Sequence, residues 1–243
     1  MPEEIKTETI MLTVSDGSTM PAYVARPAAP GPHLGLLVFQ EAFGVNAHIK
    51  DLTERFARAG YTAIAPALFH RTDPNFEGLY TDFGPVMPHL VALTDAGQSA
   101  DILAAYKWLT TEGGAAAVAS TGYCMGGRAS FLADILLPLK ASVSYYGGGI
   151  APSEGGSLPG LLDHAADLHG PILLFWGGLD SHIGAEQIST TEAALKAAKK
   201  NYAQVVFSNA DHGFFCDARA SYNPDAARQA WALTLEFLAT YVK

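Results

Sequence analysis

The chain has 243 residues, 49% of them hydrophobic and 16% charged, enough apolar content for one large α/β domain over 1–243. With 24 acidic residues against 15 basic ones the formal charge is −9, and no basic stripe appears, which argues against a nucleic-acid partner. No apolar run approaches the roughly 20 residues that span a bilayer. The start, Met1-Pro2-Glu3-Glu4-Ile5-Lys6, has no apolar signal region, and two cysteines are too few for a disulfide scaffold. A cytoplasmic chain with free thiols is expected.

Residues 5–14 and 20–26 flank the turn Ser15-Asp16-Gly17-Ser18 and read as a hairpin. Leu34 to Gln40 is nearly all apolar, as a strand buried on both faces should be. Asn46 can cap the next helix, whose Ile49, Leu52, Phe56 and Ala59 fall at helical spacing before Gly60. A short strand over 62–65 follows. A helix over 97–110 carries Ile102, Leu103, Tyr106 and Leu109 as its apolar face. A strand over 118–121 leads into a tight turn, and a helix continues over 129–136 until Pro138. Strands over 141–146, 172–176 and 202–207 alternate with helices over 185–200 and 226–241. Such alternation predicts a mostly parallel sheet of about eight strands with helices on both faces. The Gly/Pro-rich stretch 147–170 is long for a connection, and its Leu158, Leu161 and Leu162 suggest a segment packed over the sheet edge, part of a substrate rim.

The most informative run is Gly122-Tyr123-Cys124-Met125-Gly126-Gly127, which has the Gly-x-Nuc-x-Gly spacing of a nucleophile elbow with a thiol where serine is usual. A sharp strand-to-helix turn leaves no room for side chains two residues either side of the nucleophile. The turn also places the sulfur at a helix N-terminus, where the dipole favours a thiolate. In parallel α/β sheets chemistry collects at the carboxyl ends of strands. Glu41, Cys124, Asp180 and His212 all follow predicted strands, and the order nucleophile, acid, histidine is that of an α/β-hydrolase.

The roles follow from proton chemistry. Cys124 attacks a carbonyl as thiolate and forms a thioester. His212 serves as base and then activates water, while Asp180 accepts the other ring N–H. Asp211 is the competing acid, poorly placed because neighbouring side chains diverge. The backbone N–H groups of Met125 and Ala42 are the expected oxyanion donors. His70, His89, His164, His169 and His182 show no metal spacing and read as surface or loop residues, so no metal and no cofactor is expected. Cys216 reads as packing. A buried inert cysteine, a loop histidine and a turn-capping aspartate are the bland alternatives for Cys124, His212 and Asp180.

Together these motifs resemble the dienelactone hydrolase (carboxymethylenebutenolidase) family over about residues 8 to 240. The resemblance rests on Gln40-Glu41-Ala42-Phe43-Gly44-Val45-Asn46, Ala65-Pro66-Ala67-Leu68-Phe69, the cysteine elbow, Tyr145-Tyr146-Gly147, Gly177-Gly178-Leu179-Asp180 and His212-Gly213-Phe214. It implies an α/β-hydrolase fold and a Cys124, His212, Asp180 triad. It also implies a role for Glu41 in contacting the resting thiol and generating the thiolate when substrate arrives. Family members hold a substrate carboxylate with two arginines. Arg71 matches one; Cys216 stands where the other is expected, with Arg219 three residues on as its replacement. Tyr145 joins the arginines as a substrate-binding residue. The implied activity is hydrolysis of a small lactone or activated ester that carries a carboxylate. The contrasting possibilities are a binding or regulatory protein on the same scaffold and a thiol-redox protein. The second is disfavoured because no Cys-x-x-Cys occurs.

Overall fold

The computed structural model describes residues 4–29, 31, 33–152 and 158–243. Its eight strands hydrogen-bond in the order β1-β2-β4-β3-β5-β6-β7-β8. They are β1 (Ile5–Thr13), β2 (Thr19–Pro27), β3 (Leu34–Phe39), β4 (Tyr61–Pro66), β5 (Val118–Tyr123), β6 (Ser142–Tyr145), β7 (Ile172–Gly177) and β8 (Tyr202–Phe207). β1 and β2 pair antiparallel, as do β2 and β4, whereas β3–β4, β6–β7 and β7–β8 pair parallel. The described residues up to Ser120 form one compact unit and those from Thr121 a second, with β5 running from one into the other.

In the first unit the hairpin turn is built by Asp16, whose carboxylate accepts the Ser18 N–H at 3.0 Å, and by Gly17 at φ 86°. β3 and β4 are buried almost throughout, as parallel strands covered on both faces must be. Helix α1 (Ala47–Arg58) starts on Asn46, whose side chain accepts the Ile49 N–H, and buries Ile49, Leu52 and Phe56. Each such side chain contributes about 1.5–3 kcal/mol through area removed from water. Ala59 is exposed and Ala57 takes the place expected for it. A short helix, α2 (Met87–Ala92), lies where no periodicity announced one. Helix α3 (Asp95–Thr110) is capped by Thr94; it buries Ile102, Trp108 and Leu109, but Leu103 is exposed.

In the second unit β7 is buried along its whole length. Helix α4 (Met125–Leu136) buries every residue from Gly126 to Asp134. Asp134 fastens its far end: the carboxylate accepts from Ser142 Oγ at 2.7 Å and from the Gly170 N–H at 2.8 Å. Helices α5 (Ala185–Ala197) and α6 (Pro224–Tyr241) complete the unit, α6 capped by Asn223 with Pro224 in its first turn. Rings of Tyr123, Phe175 and Phe215 surround Tyr145 within the unit at centroid distances of 4.7–4.9 Å, Tyr123 stacked on it and Phe215 edge-on. Of the stretch 147–170, residues 153–157 lie outside the described residues; Leu161 is buried and a 3-10 segment of two turns spans Leu162–Asp167.

Candidate active site

Cys124 occupies the junction of β5 and α4 with φ 56° and ψ −121°, a left-handed conformation that costs a non-glycine residue roughly 1–3 kcal/mol. The turn holds because its surroundings leave no alternative. Cys124 N–H donates to the Tyr145 carbonyl at 3.0 Å, and Gly127 N–H to the Cys124 carbonyl at 2.9 Å. A Cβ at Gly122 would run into the Gly126 carbonyl oxygen, and one at Gly127 would lie 2.7 Å from the Gly147 Cα. Glycine at both positions is therefore a packing requirement, and it exposes the sulfur at the N-terminus of α4. Met125 is the first residue of that helix, so its N–H has no intrahelical acceptor.

The loops after β7 and β8 bring a carboxylate and an imidazole to this sulfur. His212 Nδ1 lies 2.8 Å from Asp180 Oδ2, and the His212 side chain also hydrogen-bonds Cys124, which leaves Nε2 for the sulfur. Asp180 is itself clamped: its Oδ1 accepts the backbone N–H groups of His182 at 2.8 Å and Ile183 at 3.0 Å. Asp211, the rival acid, turns back to accept the N–H of His212 at 2.6 Å, a bond to the backbone and not to the ring. The His212 imidazole is flanked by two rings, Tyr146 at 5.1 Å and His182 at 5.2 Å between centroids, both roughly perpendicular to it.

The electrostatics suit an ion pair. Burial alone would push the His212 imidazolium down, but the Cys124 charge and the hydrogen bonds to Asp180 and Cys124 outweigh it and raise the group to about 10. Burial works against the Asp180 carboxylate too. The His212 contact and the two backbone donors prevail and hold it below the usual aspartate range. His212 therefore keeps its proton through neutral pH beside the sulfur, able to give it to a leaving group.

Two residues expected at the site, Tyr145 and Arg71, do other work, and two histidines read as surface or loop residues, His70 and His182, have specific neighbours. Tyr145 does not face substrate: it is fully buried, and its hydroxyl bonds Thr234 and the Ala230 carbonyl on α6. Only its carbonyl serves the elbow. Arg71 belongs to the first unit, where its guanidinium grips the fully buried Asp101 through two 2.8 Å bonds and Asp16 through another at 2.8 Å. That commitment takes up the planar fork a substrate carboxylate would need. His70, expected on the surface, is buried and bonds Asp101 Oδ1 at 3.0 Å. His182, read as a loop residue, is on a loop but sits against the His212 ring.

Glu41 and Ala42 follow β3 in the first unit, both buried; the Glu41 carboxylate lies within 4.8 Å of the buried His48 ring, a neighbour that sequence reasoning missed. Arg219 is half-buried and lies over the Cα of Gly213, which has φ 75°; a Cβ there would strike the guanidinium. This puts Arg219 one residue along from His212. Cys216 is fully buried, and neither Cys124 nor Cys216 forms a disulfide. The missed neighbours Tyr146 and His182 had faint signals: Tyr146 follows a strand end, and His182 stands two residues past the acid.

A mostly parallel eight-stranded sheet, a strand–turn–helix elbow with a cysteine at its turn and a histidine on a later loop that meets an aspartate define an α/β-hydrolase fold. Among the described residues no helix is long and apolar enough to cross a membrane. Residues 20–242 match the model of the dienelactone hydrolase family, and the chain belongs to that family. It is 36% identical over 249 residues to a provisionally named carboxymethylenebutenolidase of Synechocystis, covering 100% of both chains. A provisionally named carboxymethylenebutenolidase of Salmonella typhimurium is 38% identical over 232 residues, 93% of this chain and 85% of that one. A crystal structure from Klebsiella pneumoniae, provisionally described as a dienelactone hydrolase, superimposes with a TM-score of 0.88 at 37% identity, covering 98% and 100% of the two chains. The protein is a hydrolase of ester or lactone bonds, and its substrate is a small molecule.

Proposed function

We propose that the protein hydrolyses lactones or activated esters through a thioester on Cys124, with His212 and Asp180 completing a triad. One observation carries the reading: a strained cysteine at a helix N-terminus hydrogen-bonded to a histidine whose Nδ1 lies 2.8 Å from a buried aspartate. In acylation the Cys124 sulfur attacks the carbonyl carbon. The tetrahedral oxyanion is held by the Met125 N–H, with the Ala42 N–H as the second donor, and the His212 proton passes to the departing alkoxide. In deacylation neutral His212 takes a proton from water, the hydroxide attacks the thioester carbon, and the C–S bond breaks to restore thiolate and imidazolium.

Glu41 takes the part that the family resemblance gives it, a carboxylate that governs thiolate formation when substrate arrives. Arg219 is the anchor for a substrate carboxylate, supported by its position over Gly213 beside His212. Arg71 is left to its aspartates. Replacing Cys124 by alanine tests the reading: loss of activated aryl ester hydrolysis in a protein of unchanged thermal stability supports it, and retained turnover refutes it.

A further inference from the structure

The two end strands of the sheet are unlike. β1 carries Lys6 and Glu8, and Glu8 is paired with Arg26 at 2.7 Å. Charges of this kind keep an edge strand from pairing with another chain. β8, at the other end of the strand order, has no such protection. Its run Tyr202-Ala203-Gln204-Val205-Val206-Phe207 contains no charged residue, no proline and no glycine, and it pairs with β7 residue for residue without a bulge. β7 is buried throughout, whereas no residue of β8 is buried and Val206 is 48% exposed. Among the described residues no strand pairs with the outer edge of β8, so that edge presents a row of backbone N–H and C=O groups.

Helix α6 adds an apolar stripe beside this edge. Leu233, Phe237 and Tyr241 recur at four-residue spacing; Leu233 is 43% exposed, and the two rings are half-buried with centroids 4.9 Å apart. The Tyr241 hydroxyl accepts from Asn201 Nδ2 at 3.3 Å, so the stripe ends at the start of β8. The charges that flank the edge differ in sign at its two ends: exposed Lys199 precedes β8 and exposed Asp211 follows it. A second β8 laid antiparallel brings each lysine toward the other copy's aspartate, whereas a parallel one sets like charge beside like. The formal charge of −9 on each chain opposes self-association, so two copies meet most readily where the surface carries no net charge.

We propose that β8 and the α6 stripe are the interface of a two-fold symmetric dimer in which the β8 strands of two copies pair antiparallel. A two-fold axis perpendicular to the sheet keeps each face of the strand on its own side, so residues of like parity stand opposite; pairing centred on Val205 directs Lys199 toward Asp211 of the second copy. A six-residue edge about 20 Å long, flanked by a helix about 27 Å long and about 10 Å thick, offers on the order of 500 Å² per copy, so two copies reach about the 1,000 Å² at which a specific interface begins. That area suits a reversible dimer. The interface uses no residue of the Cys124–His212–Asp180 constellation and does not depend on the chemistry assigned to it.

The test is sedimentation velocity of the full chain across roughly 1–100 μM, the span in which a dimer of this area dissociates. The parent should pass from the mass of one chain to that of two. Val206→Lys puts a charge on the exposed edge and should raise the dimer Kd at least about tenfold at unchanged Tm and unchanged kcat/KM for an activated ester. Lys199→Glu should weaken the dimer at low salt and much less at about 1 M salt. Met11→Lys, at an exposed position on β1, should change nothing. Hydrogen exchange gives a second reading without any substitution: amides within 202–207 should exchange more slowly at the upper concentration than at the lower, and this reading decides if Val206→Lys melts early. A parent that stays monomeric throughout overturns the proposal. So does a dimer whose 202–207 amides gain no protection, or one that survives Val206→Lys but is broken by Val91→Lys on the exposed face of α2.

Discussion

Asp180→Asn is the most informative single perturbation of the candidate site, because the structure sets apart what it keeps from what it removes. Oδ1 accepts the N–H groups of His182 and Ile183, and asparagine retains an oxygen there. At Oδ2 the carboxylate oxygen 2.8 Å from His212 Nδ1 becomes an NH2 group, so donor meets donor. A hydrogen bond to a charged group is worth about 1.5–3 kcal/mol, or roughly tenfold to 150-fold in rate at 1.36 kcal/mol per tenfold. His212 must also protonate the wrong nitrogen to satisfy the amide, which adds at least another factor of about ten and brings the loss in kcat/KM to about 10³. His212 loses one of the groups that raise it to about 10, so the imidazolium gives up its proton at lower pH. The assay is kcat/KM on an activated aryl ester from pH 5 to 10 beside a thermal melt. An activity within tenfold of the parent, with an unshifted alkaline limb, would refute the reasoning.

Three further outcomes follow from other parts of the molecule. Gly122→Ala drives a methyl group into the Gly126 carbonyl and should cost more than the usual 1–3 kcal/mol of overpacking, read as a drop in urea midpoint together with lost activity; a stable, active variant contradicts the elbow packing. Burial raises Asp134 from 3.8 to about 6, so the folded state binds its proton more tightly than the unfolded chain, and this group's contribution is lost as pH rises from about 4 through 6, by roughly 3 kcal/mol at most. Asp134→Asn should therefore gain stability relative to the parent over that interval, and a pH-independent difference between the two melts would contradict it. Arg71→Met strands the buried Asp101 with His70 alone and should destabilise by about 2–3 kcal/mol while changing KM for anionic and neutral esters alike; a selective rise for the anionic ester at unchanged stability would restore Arg71 as a substrate anchor.

Much of the fold was legible because local rules and tertiary demands agree. The apolar run of β3, the Asn46 cap of α1 and the glycines around Cys124 each have a short-range cause. The strand-end positions of Asp180 and His212 were legible for the same reason, since topology sends those ends to the site. What escaped depends on partners far along the chain. Arg71 pairs with Asp101 thirty residues away, and the Tyr145 hydroxyl bonds Thr234 eighty-nine residues away. No spacing rule predicts either. His70 looked like a loop histidine because nothing nearby in sequence announces Asp101. Helix α2 is short and leaves Met87 and Val91 exposed, so it lacks the apolar stripe by which a helix is recognised. Leu103 fits the period of α3 yet faces solvent, because periodicity marks a stripe without saying where the stripe ends.

The central claim is that Cys124 carries the acyl group. Rapid acid quench during turnover of an activated ester, followed by intact and peptide mass measurement, reads this directly. The account predicts one acyl unit on the peptide bearing Cys124, released by hydroxylamine as a thioester is, and no adduct in His212→Ala beyond a slow trace. Turnover with no adduct on Cys124, or an acyl group on a serine or on Cys216, would contradict it.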